Sequence, residues 1–202
     1  MQEVGEMTKN FISISLAEEP ININSRYTFS LPLYTIGILC MELLNKGYLQ
    51  LNHKEELEII KEKTSNRGYV KHLMEYVKQK RGRTCKEWMH YFAEKTKITN
   101  DIFKSIVKEM KEEGTVRYHM KKSVMNVFSQ TKIEYVTGTN SFVEHMKQDS
   151  LMEREDKLEL MLLLCEYGGA ERATLQRDKV YRFIQQMQEG ILEGAQRKVL
   201  FV

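Results

Sequence analysis

Proline is nearly missing from this chain, with two in 202 residues. Proline removes a backbone donor and breaks helices, so its scarcity predicts a mostly helical chain with short connections. Cysteine is almost as rare. Cys40, Cys85 and Cys165 are widely separated and form no CxxC pair, and Cys40 and Cys165 lie in apolar helical runs. Buried free thiols in a reducing compartment are expected, not a disulfide framework. The five histidines (His53, His72, His90, His119, His145) lack ligand spacing, so neither a metal nor another cofactor is expected. No window approaches 18 apolar residues, which argues against a membrane-spanning helix. The segment Met1 to Asn10 carries Glu3, Glu6 and Lys9 and lacks the basic region, apolar core and cleavage site of a secretory leader. A cytoplasmic protein, at most peripheral at a membrane, is the expectation. Enzyme signatures are missing too: there is no GxGxxG, no phosphate loop ending in GK[ST] and no GxSxG. Asp149 and Ser150 have no base nearer than His145, while Glu155, Asp156 and Glu159 read as exposed helix surface. The chain is read as non-enzymatic.

What is present is charge, unevenly distributed. Between Lys61 and Lys132 there are 18 Lys or Arg against 8 Asp or Glu, a surplus of +10. The whole chain carries +3, so the remainder carries −7. A one-signed field of that size attracts anionic partners, lipid headgroups or nucleic acid, unless the charges merely solvate helical surfaces.

The most specific local pattern occurs twice. Leu39 to Leu51 and Ile106 to Tyr118 each run from a periodic apolar helix through a glycine (Gly47, Gly114) into alternating residues. Glycine enters the left-handed region without a Cβ clash, so both sites predict a helix C-terminal cap followed by a strand. Residues 1–30 read as a variable N-terminal segment in which Phe11 to Leu16 and Ile21 to Asn24 alternate like strands. A helix from Ser30 to about Lys46 holds Pro32 in its first turn. Leu57 to Ile60 reads either as the hairpin partner of Tyr48 to Leu51 or as part of a helix from Glu55 to Lys63. Arg67 to Lys80 predicts a helix, broken by Arg81-Gly82-Arg83. Thr84, with Glu87 three residues on, predicts a capping box before a helix that buries Trp88, Tyr91 and Phe92. Thr99 or Asn100 is read as the start of the next helix. A hairpin follows, with strands at Thr115 to Met120 and around Val124 to Val136. Helices near Ser141 to Lys147, Glu153 to Cys165 and Arg177 to Gln188 complete the chain.

In Glu42-Leu43-Leu44-Asn45-Lys46-Gly47-Tyr48-Leu49-Gln50-Leu51, Lys86-Glu87-Trp88-Met89 and Lys111-Glu112-Glu113-Gly114-Thr115-Val116, residues 31–200 resemble the Golgi phosphoprotein 3 family and its bacterial relatives. The resemblance implies a mostly α, single helical domain with small β-hairpins. It also implies a non-enzymatic peripheral membrane or adaptor protein that binds phosphoinositide or other anionic headgroups. The family's headgroup residues fall here at Tyr27, Ile36, Asn100 and Phe103, or, with a shift of a residue or two, near Arg26 and Lys104. Less selective attraction to an anionic membrane points to Lys71, Lys78, Lys80, Arg81, Arg83 and Lys104. The family uses its hairpin for self-association or membrane contact. Val124, Met125, Val127 and Phe128 beside Lys121 and Lys122 suit interfacial insertion, a homo-oligomer contact, or packing into the domain's own core. The absence of a long polar N-terminal extension fits a bacterial member.

The alternative is a winged-helix nucleic-acid binder, less favoured as a partner class. Thr84 to Phe92, a turn, Thr99 to Glu113, Gly114 and a hairpin follow that motif's order. Asn100, Lys104, Lys108 and Lys111 would face the groove.

Overall fold

The computed structural model describes residues 4–18, 20–22, 30–61, 66–122, 129–148 and 177–200. Within them are seven helices and two small antiparallel hairpins. In chain order these are α1 (Glu6–Glu18), β1 (Ile21–Asn22), α2 (Ser30–Asn45), β2 (Leu49–Leu51), β3 (Leu57–Ile59), α3 (Gly68–Gln79), α4 (Cys85–Glu94), α5 (Thr96–Glu112), β4 (Val116–Lys122), β5 (Ser129–Tyr135), α6 (Ser141–Gln148) and α7 (Arg177–Leu200). The expected mostly helical class holds. None of the helices among the described residues is long and apolar enough to cross a membrane.

α2 is the central element because most of its residues are apolar. Leu33, Ile36, Ile38, Leu39, Leu43 and Leu44 are buried, and α1, α4, α5 and α7 all pack against it. Both glycine caps form as expected. Tyr48 N–H donates to the Leu43 carbonyl at 2.9 Å and Gly47 N–H to Leu44 at 3.0 Å. Thr115 N–H donates to Met110 at 2.9 Å and Gly114 N–H to Lys111 at 3.1 Å. These are paired Schellman bonds, with Gly47 at φ 68° and Gly114 at φ 78°. No heavy atom stands within 4 Å of a Cβ built at either glycine. Gly114→Ala therefore isolates backbone strain. It is expected to cost about 1 kcal/mol and to lower the thermal midpoint by roughly 2–4 °C. An unchanged midpoint would show that the turn relaxes out of the left-handed region.

The β2–β3 hairpin settles the two readings of Leu57 to Ile60: Leu49 pairs with Ile59 and Leu51 with Leu57. Asn52 closes the turn, its Oδ1 accepting from the N–H groups of Lys54 (2.8 Å) and Glu56 (3.0 Å). β4 and β5 pair from Val116↔Tyr135 to Lys122↔Ser129, and β1 adds to β5 through Ile21↔Ile133.

Three expectations are corrected. Phe11 to Leu16 is helix, not strand. The alternation came from Ser13 and Ser15, but Ser13 is buried beside Phe11, Ile12 and Ile14, and the Ser15 hydroxyl donates back to the Phe11 carbonyl at 3.0 Å. Packing against α2 overrides the local pattern, so α1, inside the N-terminal 1–30 segment, belongs to the same core. The second correction is α5, which begins at Thr96. Only Lys95 separates it from α4, and Thr99 is buried one turn in, donating its hydroxyl to the Phe92 carbonyl at 2.6 Å. The third is α7, which continues past Gln188 to Leu200 because Gly190 and Gly194 let it approach α4. The expected helix at Glu153 to Cys165 lies outside the described residues.

Candidate functional site

The break between α3 and α4 is where basic residues gather. α3 buries Tyr69, Val70, Leu73, Met74 and Val77 and so turns Lys71, Glu75 and Lys78 to solvent. Lys71, Glu75 and Lys78 follow helical spacing along one face, so an acid is interleaved there. The following loop is different: Lys80, Arg81 and Arg83 stand together around Gly82, whose φ of 77° makes the turn.

This loop is held on two sides. Leu57 N–H donates to the Arg83 carbonyl at 3.0 Å, and Glu56 bridges to Thr84, joining the loop to the edge of β3. On the other side the cations lie over aromatic faces. The Arg83 guanidinium sits 5.5 Å from the Trp88 ring centre and 5.0 Å from that of Tyr91, and the Lys80 ammonium sits 5.0 Å from Tyr91. Trp88, Tyr91 and Phe92 are mutually packed and buried, as expected from their spacing. The capping box at α4 is complete: Glu87 N–H donates to the Thr84 hydroxyl at 3.3 Å, and Thr84 N–H donates to the Glu87 carboxylate at 2.8 Å. Glu87 is thereby committed to the cap.

Beside the loop a cavity of about 490 Å3 opens, lined by Glu56, Leu57, Glu58, Ile59, Val77, Arg81 and Gly82. Asn52 links its two carboxylates, donating from Nδ2 to Glu56 at 2.8 Å and to Glu58 at 2.9 Å, and Gln50 donates to Glu58 at 3.1 Å. The Asn52 hydrogen bond, then that of Gln50, holds the Glu58 carboxyl below its ordinary range, with the charges of His53 and Arg81 adding to the effect. Next to the cavity Ile60 is 50% exposed, one of the few large apolar side chains on the described surface, and Lys61 follows it with its ammonium 5.7 Å from the Tyr48 ring centre.

The remaining expected site residues are dispersed. Arg26 and Tyr27 lie outside the described residues, as do Val124, Met125, Val127 and Phe128. Lys121 and Lys122 end β4. Ile36 and Phe103 are buried in the core, Asn100 is half-buried on α5, and Lys104 is exposed there. The outer face of α5 mixes Lys97, Lys104 and Lys108 with Asp101 and Glu112. Lys108 lies 3.9 Å from Glu112, and Lys111 lies over the Tyr118 ring. That helix carries no concentrated positive face.

Two other polar clusters are architectural. Arg67 pairs with Glu109, and Lys9 reaches Glu109 at 2.6 Å and Glu113 at 2.5 Å, tying α1 and the start of α3 to α5. Lys86 reaches Glu193 at 2.5 Å and Glu189 at 3.3 Å across α4 and α7. The hydrogen bond to Glu193 raises the Lys86 ammonium, and the same bond lowers the Glu193 carboxyl. The thiols of Cys40 and Cys85 are buried, and burial pushes Cys40 up to about 12 and Cys85 well above its ordinary value, so neither is a nucleophile. No group of His, Cys, Asp or Glu among the described residues is arranged to hold a metal ion.

Glu56, Glu58 and Ile60 are not among the site residues expected from the sequence. The alternation Glu56-Leu57-Glu58-Ile59 was a usable signal, since period 2 puts the two carboxylates on one face of a strand. Comparison with protein-family models, with curated proteins and with solved structures returned no match.

Proposed function

We propose that this chain is a peripheral, non-enzymatic membrane protein of adaptor type that docks on anionic lipid through the 80–83 loop and the last turn of α3. The observation that carries the reading is the run of cations around Gly82, with Lys80 and Arg83 seated on aromatic rings, Arg81 lining the cavity that Ile59 also lines, and the exposed Ile60 next in the chain. Each basic residue near an anionic surface is worth about 1 kcal/mol, and holding the loop in place lowers the ordering cost of using several together. Ile60 supplies an apolar contact at the same edge. The two glycine-capped helix–strand units and the helical class around them are features that the resemblance to the Golgi phosphoprotein 3 family implies, though they are not specific to it. Phosphoinositide selectivity receives less support. Ile36 and Phe103, where that family's arginines align, are core residues and cannot donate to a phosphate. The mixed charge on α5 leaves the nucleic-acid reading weaker still.

Co-sedimentation with vesicles at about 0.15 M salt tests the proposal. Binding to phosphatidylglycerol vesicles is expected, with little to phosphatidylcholine and no further gain from phosphatidylinositol 4-phosphate at equal charge. Lys80→Gln with Arg81→Gln should reduce the partition by about thirtyfold. Undiminished binding by the double variant would remove the loop from the docking surface. A selective gain with the phosphoinositide would assign a headgroup pocket elsewhere.

A further inference from the structure

We infer that the cavity beside the basic loop takes the headgroup of an amine-bearing phospholipid, its primary ammonium on the Glu56 and Glu58 carboxylates alongside the Asn52 amide and its phosphate on Arg81. The inference rests on the docking reading above and adds the ligand class of its site. A volume of about 490 Å3 lies in the range of small-ligand sites. Its lining divides chemically: two carboxylates, one guanidinium, and the aliphatic side chains of Leu57, Ile59 and Val77. A purely anionic ligand would meet Glu56 and Glu58, and a purely cationic one would meet Arg81. A molecule carrying both charges satisfies all three.

The carboxylates are prepared for a cation. Asn52 and Gln50 hold Glu58 ionised and fix its direction, and Asn52 bridges to Glu56. An ionised carboxylate has about four lone-pair sites, so these amide bonds leave acceptor capacity for the three N–H donors of a primary ammonium. A quaternary ammonium has no such donors. It is recognised by aromatic faces, and there is none among the described residues of the lining. The guanidinium fork of Arg81 suits a phosphate. Leu57, Ile59 and Val77 supply the apolar part of the lining, which suits the start of an acyl chain. Ethanolamine phospholipid fits this set, and free O-phosphoethanolamine shares its chemistry.

The test uses the full chain and vesicles with a fixed fraction of phosphatidylglycerol, in which phosphatidylethanolamine replaces phosphatidylcholine. Binding is expected to rise about fivefold with the ethanolamine lipid. Glu58→Gln should abolish that gain while binding to phosphatidylglycerol with phosphatidylcholine holds or strengthens, because a negative charge has been removed. Opposite responses to one substitution separate recognition from general attraction, and a folding defect would depress both. Equal binding to the two mixtures would overturn the inference and leave charge-driven docking standing. Loss of vesicle binding altogether would reject the docking reading. Backbone amide shifts at Leu57, Ile59 and Val77 on adding O-phosphoethanolamine, without any vesicle gain, would replace the lipid by the free phosphate ester and overturn the headgroup assignment.

Discussion

Glu42→Ala is expected to lower the unfolding free energy by about 3–5 kcal/mol. Glu42 projects from the most apolar of the described helices and is 2% exposed. Its Oε1 accepts from Gly5 N–H at 2.6 Å and lies 3.1 Å from the Lys46 ammonium, and its Oε2 accepts from Thr8 N–H at 3.2 Å and the Thr8 hydroxyl at 2.8 Å. The carboxylate thus caps the N-terminus of α1 from another helix, where the unsatisfied N–H groups and the helix dipole both favour negative charge. Alanine removes the acceptor and leaves buried donors behind, so the cost includes their desolvation as well as the lost bonds. Lys46 is partly exposed and turns to water, which moderates the loss. The thermal midpoint should fall on the order of 10 °C, with hydrogen exchange in α1 rising before that in α4 and α5. A loss below about 1 kcal/mol would mean that α1 finds another cap. Gly5 sharpens the dependence. Its φ of 108° and the Tyr69 hydroxyl standing where a Cβ would go leave no room for a side chain at that turn.

Where local chemistry decided the outcome, the sequence was readable. Gly47 and Gly114 needed a left-handed residue after an apolar helix, and both caps formed. Thr84 and Glu87 stand three apart at a helix start, and the reciprocal bonds are present. Trp88, Tyr91 and Phe92 were on the buried face because their spacing allowed one face only. Legibility ended where tertiary contacts took over. The alternation in α1 was an accident of two serines that packing made irrelevant. The candidate site was half legible: the density of Lys78, Lys80, Arg81 and Arg83 is visible in sequence, but the aromatic seats of Lys80 and Arg83 require the fold. So does the meeting of Glu56 and Glu58 with Arg81, which are more than twenty residues apart in the chain. A glutamate inside Leu39-Cys40-Met41-Glu42-Leu43-Leu44 was a signal in plain view, since a charge among buried neighbours implies a partner.

Gly190→Leu is expected to lower stability by about 3 kcal/mol, and the smaller Gly190→Ala already to destabilise. In an open helix interior, glycine to alanine would stabilise by roughly 1 kcal/mol, so the sign of the alanine variant is informative. A Cβ at 190 would stand 2.7 Å from the Lys86 carbonyl oxygen and 2.7 Å from the Met89 Cβ. One at 194 would stand 2.6 Å from the Ala93 Cβ. The obstacle at 190 is partly backbone, which cannot rotate aside as a side-chain end can. Relief therefore requires α7 to move away from α4. That movement opens the contacts of Phe183, Ile184, Met187 and Ile191 and lengthens the Lys86–Glu193 ion pair. Gly37 faces α7 from the opposite side, where a Cβ would collide with the more adaptable Met187 side chain. α7 is thus fixed between α2 and α4 by glycines on both sides. The consequence reaches the binding surface, because α4 carries the aromatic seats of Arg83 and Lys80. Gly190→Leu should therefore weaken binding to phosphatidylglycerol vesicles as well as lower the melting temperature. Gly114→Ala, remote from this packing, should affect the melting temperature alone. A stabilised Gly190→Ala protein would show that the two helices separate without cost and that the close approach is not needed.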